Sequence, residues 1–171
     1  MRMPELNFYD NIFSIFVKEL KAFLPTKDDG TQIPIRPENF TGEIPDYPYI
    51  TINFVTDYLP QTFNDVENEK IQLVVDFKAV SDNENVAKSL GMLLRKLFVK
   101  QQPLWDMSQA GIVATGQIQA LPSTSNFLDD GWQFEAGATY TFVTNDKFID
   151  KTQSGTIEKV DPQTNFESGE N

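Results

Sequence analysis

Apolar and polar positions along this chain fall into two rhythms, and each rhythm predicts a kind of element. In "YPYITINFVTDYL" (47–59), Ile50, Ile52 and Phe54 lie on one face and Thr51, Asn53 and Val55 on the other. "EKIQLVVDFKAV" (69–80) repeats that period of two with Ile71, Leu73, Val75, Phe77 and Ala79. Both patterns predict strands with one buried face. The linking stretch "PQTFNDVENE" is too long for a tight turn and reads as a protruding hairpin. Near the other end, "GIVATGQIQAL" (111–121) and "WQFEAGATYTFVTND" (132–146) predict two further long strands, joined by a loop at "PSTSNFLDDG". Chain after Pro103 and Trp105 is read as returning directly to strand.

The second rhythm repeats at three and four residues and predicts two helices. From Pro4 to Leu24 an apolar stripe of Tyr9, Ile12, Phe13, Phe16, Leu20, Phe23 and Leu24 is widened by Phe8, Ile15 and Val17. Pro4 suits a first turn, Glu5 complements the positive helix end, and Pro25 stops the helix. The second helix opens on Ser81-Asp-Asn-Glu84, read as a capping box. Its predicted buried stripe is Val86, Ala87, Leu90, Leu93, Leu94, Leu97 and Phe98. Lys88, Arg95 and Lys96 are assigned to other faces, the last two favouring the negative helix end. Between the first helix and the strands, prolines from Pro25 to Pro48 mark a loop with a short edge strand at "IPIRP".

One strand carries an anomaly. Trp132 and Phe134 precede, and Tyr140 and Phe142 follow, an Ala-Gly-Ala centre at 136–138. Gly91 interrupts the second helix, where glycine costs about 1 kcal/mol relative to alanine in an exposed position. The two observations predict that this helix crosses the sheet with Gly91 over the small patch. The alternative is a neighbouring subunit packed there.

Composition narrows the chemistry. The 171 residues, 40% hydrophobic and 23% charged, fit one globular domain over residues 1–150. Residues 151–171 hold only Ile157, Val160 and Phe166 as sizeable apolar groups and read as a flexible C-terminal tail. A net charge of −11 argues against duplex-DNA binding and against anionic membranes. The N-terminal stretch is interrupted by Glu5 and Asp10 and is not read as a signal peptide. With no His and no Cys, His-based triads, cysteine nucleophiles, usual zinc sites and disulfides are all excluded. The nine glycines form no phosphate-cradling loop. The acidic stretches "LDDG" and "DVENE" lack the spacing of a calcium loop and read as solvated turns. No catalytic residue, cofactor site or metal site is assigned.

The resulting class is α+β: a mainly antiparallel sheet with two helices, in the order α-β-β-(β)-α-β-β. From Glu5 to Asp150 the chain resembles the neck or tail terminator (tail completion) proteins of tailed bacteriophages. "YPYITINFVTDY", "QLVVDFKAVSDNENVAKSLGMLLRKLF" and "FEAGATYTFVTND" carry the resemblance. It implies a structural virion protein that assembles as a six-membered ring, caps the tail tube and joins it to the head connector. Genomic DNA would pass through the ring without specific binding. The implied partners are further copies of the chain, the tail-tube protein and the head–tail connector, with no membrane. The chain would be found in the virion and, during assembly, in the cytoplasm of the infected bacterium. One departure concerns the last strand, where related sequences often carry Arg and this chain has Glu135 with no basic sequence neighbour. Fourteen Phe exceed what one core of this size usually takes, so Phe13 and Phe16 on the first-helix stripe are candidate assembly contacts. Phe63 and Phe127 join them, each amid polar residues near the middle of a loop, where the alternative is a ring folded back over the sheet end. Competing readings are a connector-proximal stopper or tube subunit, a carboxylate-dependent hydrolase, and a monomeric module with an aromatic ligand pocket.

Overall fold

The computed structural model describes residues 7–62, 67–128 and 131–146. Helix α1 spans Phe8–Phe23, and the short strand β1 spans Ile35–Pro37. Two long strands follow, β2 (Tyr49–Pro60) and β3 (Lys70–Ser81), then helices α2 (Glu84–Leu97) and α3 (Gln101–Gln109). Strands β4 (Val113–Leu128) and β5 (Gly131–Asn145) complete the order. The five strands form one sheet, β1-β2-β3-β5-β4. All pairings are antiparallel except β1 with β2, where residues 38–48 carry the chain back to the start of the second strand. The class is therefore α+β with a mostly antiparallel sheet, as the patterning predicts.

The apolar alternation is realised in full on β3, where Ile71, Leu73, Val75, Phe77 and Ala79 are all buried. Their partners on β5 put Phe142, Tyr140, Ala138 and Ala136 on the same face. Helices α1 and α2 cover that face. Phe16 of α1 packs its ring 5.3 Å from Phe77 and 4.9 Å from Phe142. Phe98, at the end of α2, stands edge-on to Phe142 at 5.2 Å and to Tyr140 at 5.0 Å. Such aromatic pairs contribute about 0.5–1.5 kcal/mol beyond their buried area. The opposite face carries Gln72, Asp76 and Lys78 of β3 beside Glu135, Thr139 and Thr141 of β5, with no helix over it among the described residues.

Several local expectations are corrected. Ser81 does not cap α2, because it is still in strand, paired with Phe134. The cap falls two residues later, where Asn83 Oδ1 accepts from the N–H groups of Asn85 (3.0 Å) and Val86 (3.3 Å). Ser81 instead accepts from the Asn83 N–H and shapes the turn. Val86 is exposed rather than part of the buried stripe. Chain around Pro103 and Trp105 forms α3, a third helix. Pro103 occupies its first turn, where a missing N–H breaks no bond, and Met107 reaches the core. The expected loop at "PSTSNFLDDG" is largely strand: β4 runs through Pro122 to Leu128 by way of two irregularities in register. Proline is tolerated because β4 is an edge strand. Pro4, Glu5 and the tail at 151–171 lie outside the described residues.

Candidate assembly surface

The small patch on β5 is a contact site within the chain. A Cβ built on Gly91 would lie 2.7 Å from Ala136 Cβ and 2.9 Å from the Ala136 carbonyl carbon. Gly137 is constrained from a different side, since a Cβ there would meet the Phe77 carbonyl oxygen across the β3–β5 ladder at 1.9 Å. Close approach also lets Arg95 reach over the sheet. Its Nε donates to the Gly137 oxygen (3.1 Å) and its Nη2 to the Leu121 oxygen (3.2 Å). Arg95 thus ties α2 to β5 and β4, a role its sequence position does not reveal.

Beyond the Ser81–Phe134 pair, Gly131, Gln133 and Trp132 of β5 have only β4 for a strand neighbour. The β4–β5 hairpin therefore projects past the sheet, and its end is aromatic. Phe127 is 69% exposed and Trp132 is 55% exposed, their rings edge-to-face at 5.3 Å. Trp132 stacks on Phe134 in turn. Beneath the tip, a groove is lined by Ile44, Pro45, Tyr47, Leu128 and these rings. Tyr47 closes one side, its hydroxyl donating to Gln133 Oε1 at 3.2 Å. A second groove of about 650 Å³, also bordered by Tyr47, lies between the 25–33 loop and α2 at Val86, Ser89 and Leu93. An exposed aromatic pair on a projecting hairpin is the sort of group that becomes an anchor when a partner covers it.

The four candidate contacts separate clearly. Phe127 stands at the projecting tip. Phe13 is half-buried against the core, and Phe16 has no exposed surface at all. The expectation of Phe16 as an assembly contact is therefore corrected: its ring fills the centre of its own core. Phe63 lies outside the described residues. Trp132 carries no sequence signal of exposure, because its alternation with Phe134 is that of a buried strand face.

Asp129 and Asp130 of "LDDG" and Asp65 of "DVENE" lie outside the described residues. Glu69 accepts a hydrogen bond from Tyr58, whose hydroxyl also reaches Asp146 Oδ2 at 3.3 Å. This holds the Tyr58 proton well above its usual range, through the Glu69 hydrogen bond first and then desolvation. Among the described residues, no group of three or more acids could hold a metal. Glu135 does have a basic neighbour in space. Burial lowers the Lys78 pKa, but the bond to Glu38 and the fields of Glu38, Glu135 and Asp76 outweigh it and leave Lys78 raised. No described helix is long and apolar enough to cross a membrane.

No curated protein matches the chain. The family model described as phage neck terminator protein matches residues 14–170, which takes in all of the sheet, α2, α3 and most of α1. On that match the chain belongs to the phage neck terminator protein family, whose members are structural proteins of the virion neck.

Proposed function

We propose that this protein forms a ring, six-membered by resemblance, that terminates the phage tail tube and joins it to the head connector. The family match across residues 14–170 carries the reading. The projecting aromatic hairpin supports it, because two exposed rings over a groove suit a contact completed by another subunit or by the tube. The acidity of the chain is compatible with a DNA passage that repels phosphate instead of holding it. In this reading the protein is made in the cytoplasm of the infected bacterium. It acts as a structural part with no catalytic step, and residues 1–150 form the ring body.

Light scattering and negative-stain imaging of the purified chain, alone and mixed with tail tubes, test the proposal. Rings, or tubes capped at one end with mass added there, are the expected result. A strict monomer that leaves the tubes uncapped overturns it.

A further inference from the structure

The two ends of α1 differ in charge. Its first turn lies where β2 ends, β3 begins and β5 ends. There Tyr9 donates to the Asp57 oxygen at 2.7 Å, and the Tyr58 hydroxyl bridges Glu69 and Asp146. Burial first, and then the charges of Asp57 and Asp146, hold the Tyr9 proton above its usual range. Asp10, beside Tyr9, and Glu67, two residues before Glu69, are both exposed and add to the negative charge. Against them stands Lys70, paired with Asn145. Apolar surface lies among these acids, for Val55, Tyr58 and Leu59 of β2 are all exposed.

The other end of α1 is basic. Lys21 is in its last turn, and the Lys100 ammonium sits 4.3 Å over the Phe23 ring, joining the end of α1 to the α2–α3 junction. Lys96, in the last turn of α2, is exposed at that junction. Lys18 is offset by buried Glu19 at 3.8 Å, and Asp106 of α3 accepts from Gln102 at 2.8 Å. Apolar groups are exposed here too: Val99, between Lys96 and Lys100, and Trp105, whose ring is 62% exposed. A chain of net charge −11 thus carries a basic corner about 20 Å from an acidic one, the rise of α1 from Tyr9 to Phe23.

We propose that the acidic end of one copy docks on the basic corner of the next, with Tyr58 and Leu59 meeting Val99 and Trp105 inside a rim of opposite charges. The inference rests on the ring reading and names the two surfaces that meet in it. Charge complementarity selects a second copy as the occupant. The two patches are opposite in sign, each has an apolar centre, and they lie at opposite ends of one helix, so one copy cannot bring them together. A closed ring requires a head-to-tail contact between two different patches of the same chain. A two-fold contact through either patch alone would set like charges against each other. Aromatic and aliphatic groups at the centre supply affinity once water leaves them, while the charged rim fixes partner and register.

Charge reversal of the full-length chain tests the docking, with mass read by light scattering, alone and on tail tubes, and folding checked by thermal melting. Lys96→Glu/Lys100→Glu makes both patches acidic, and Asp10→Lys/Asp57→Lys turns the acidic end toward basic. Each variant is expected to melt like the parent and to stop at the monomer. Mixed in equal amounts they should form rings again, because alternating copies present opposite charges at every contact of an even-membered ring. A chain carrying all four substitutions should close on itself. Restoration on mixing cannot come from a chain that has merely failed to fold, and Lys21→Glu replaces Lys96→Glu if that variant melts early. Rings that persist in either variant overturn the docking and leave the ring reading intact. So do rings lost in both variants and not restored by mixing, which would assign the two patches to other partners. A parent that stops at a dimer overturns the head-to-tail order, and a parent that never assembles overturns the ring reading with it.

Discussion

Gly91 shows how one missing side chain sets a distance between layers. Alanine is the better helix former by about 1 kcal/mol, yet its methyl would fall 2.7 Å from Ala136 Cβ and close to β5 backbone. Backbone cannot swing aside as the end of a flexible side chain can, so α2 would have to lift. Gly91→Ala is expected to lower stability by about 1–3 kcal/mol, measured by urea unfolding; a variant as stable as the parent would show that α2 has room to retreat. Tyr140 illustrates the opposite case, a polar group taken into the core with its partner. Its hydroxyl donates to the Leu94 oxygen at 2.6 Å, and burial pushes its pKa up to about 12. The unfolded chain releases this proton near pH 10. Folded protein therefore holds the proton longer, and stability falls as pH rises from about 10 to about 12. The other four tyrosines are shifted upward as well, so a comparison with Tyr140→Phe isolates this one. That variant should lose about 0.5–1.5 kcal/mol at neutral pH and fall less steeply above pH 10, whereas parallel curves would rule out the assignment.

Elements begin and end where neighbours permit. Ser81-Asp-Asn-Glu84 has the letters of a capping box, but β5 holds Ser81 in the ladder and moves the helix start to Asn83. Asn83→Ala should cost about 1 kcal/mol, because two N–H groups at the start of α2 lose their acceptor; thermal unfolding that shows no loss would return the cap to Ser81. Helix α3 has little amphipathic signal of its own, and its capping residue Lys100 makes no side-chain cap bond. Met107 and Pro103 fix it by burial, a tertiary effect. Strand β4 likewise persists through Ser, Thr and Pro because β5 supplies a partner as far as Leu128.

Among the described residues of the whole molecule, two helices cover one sheet face, no helix lies over the other, one long edge has no paired strand and one hairpin projects. At that tip Phe127 packs on Trp132 and Trp132 on Phe134, away from the core cluster, so removal of Phe127 or Trp132 should leave the isolated fold intact. Phe127→Ser and Trp132→Ser are each expected to shift monomer stability by no more than about 0.5 kcal/mol while weakening ring formation or tube capping. A lowered monomer melting temperature would place the rings in the fold's own packing, and unaffected assembly would move the contact elsewhere.

Strand and helix periodicity determined the class and the faces of β2, β3 and β5, and the small residues Gly91 and Ala136–Ala138 determined where α2 crosses the sheet. These features are local or nearly so, because alternation and a stripe state which side of an element seeks the core. The absence of His and Cys likewise removed, from composition alone, His-based triads, cysteine nucleophiles and disulfides. What only the tertiary structure decided depends on partners distant in sequence. Phe13, Phe16 and Phe127 are the same residue type at equally plausible positions. Phe16 became core because Phe77 and Phe142 meet over it, and Phe127 became surface because β3 stops pairing at Ser81. Glu135 found its basic neighbour in Lys78 only once β3 and β5 were paired. Exposure depends on what packs against a side chain, and a sequence records the side chain without the packing.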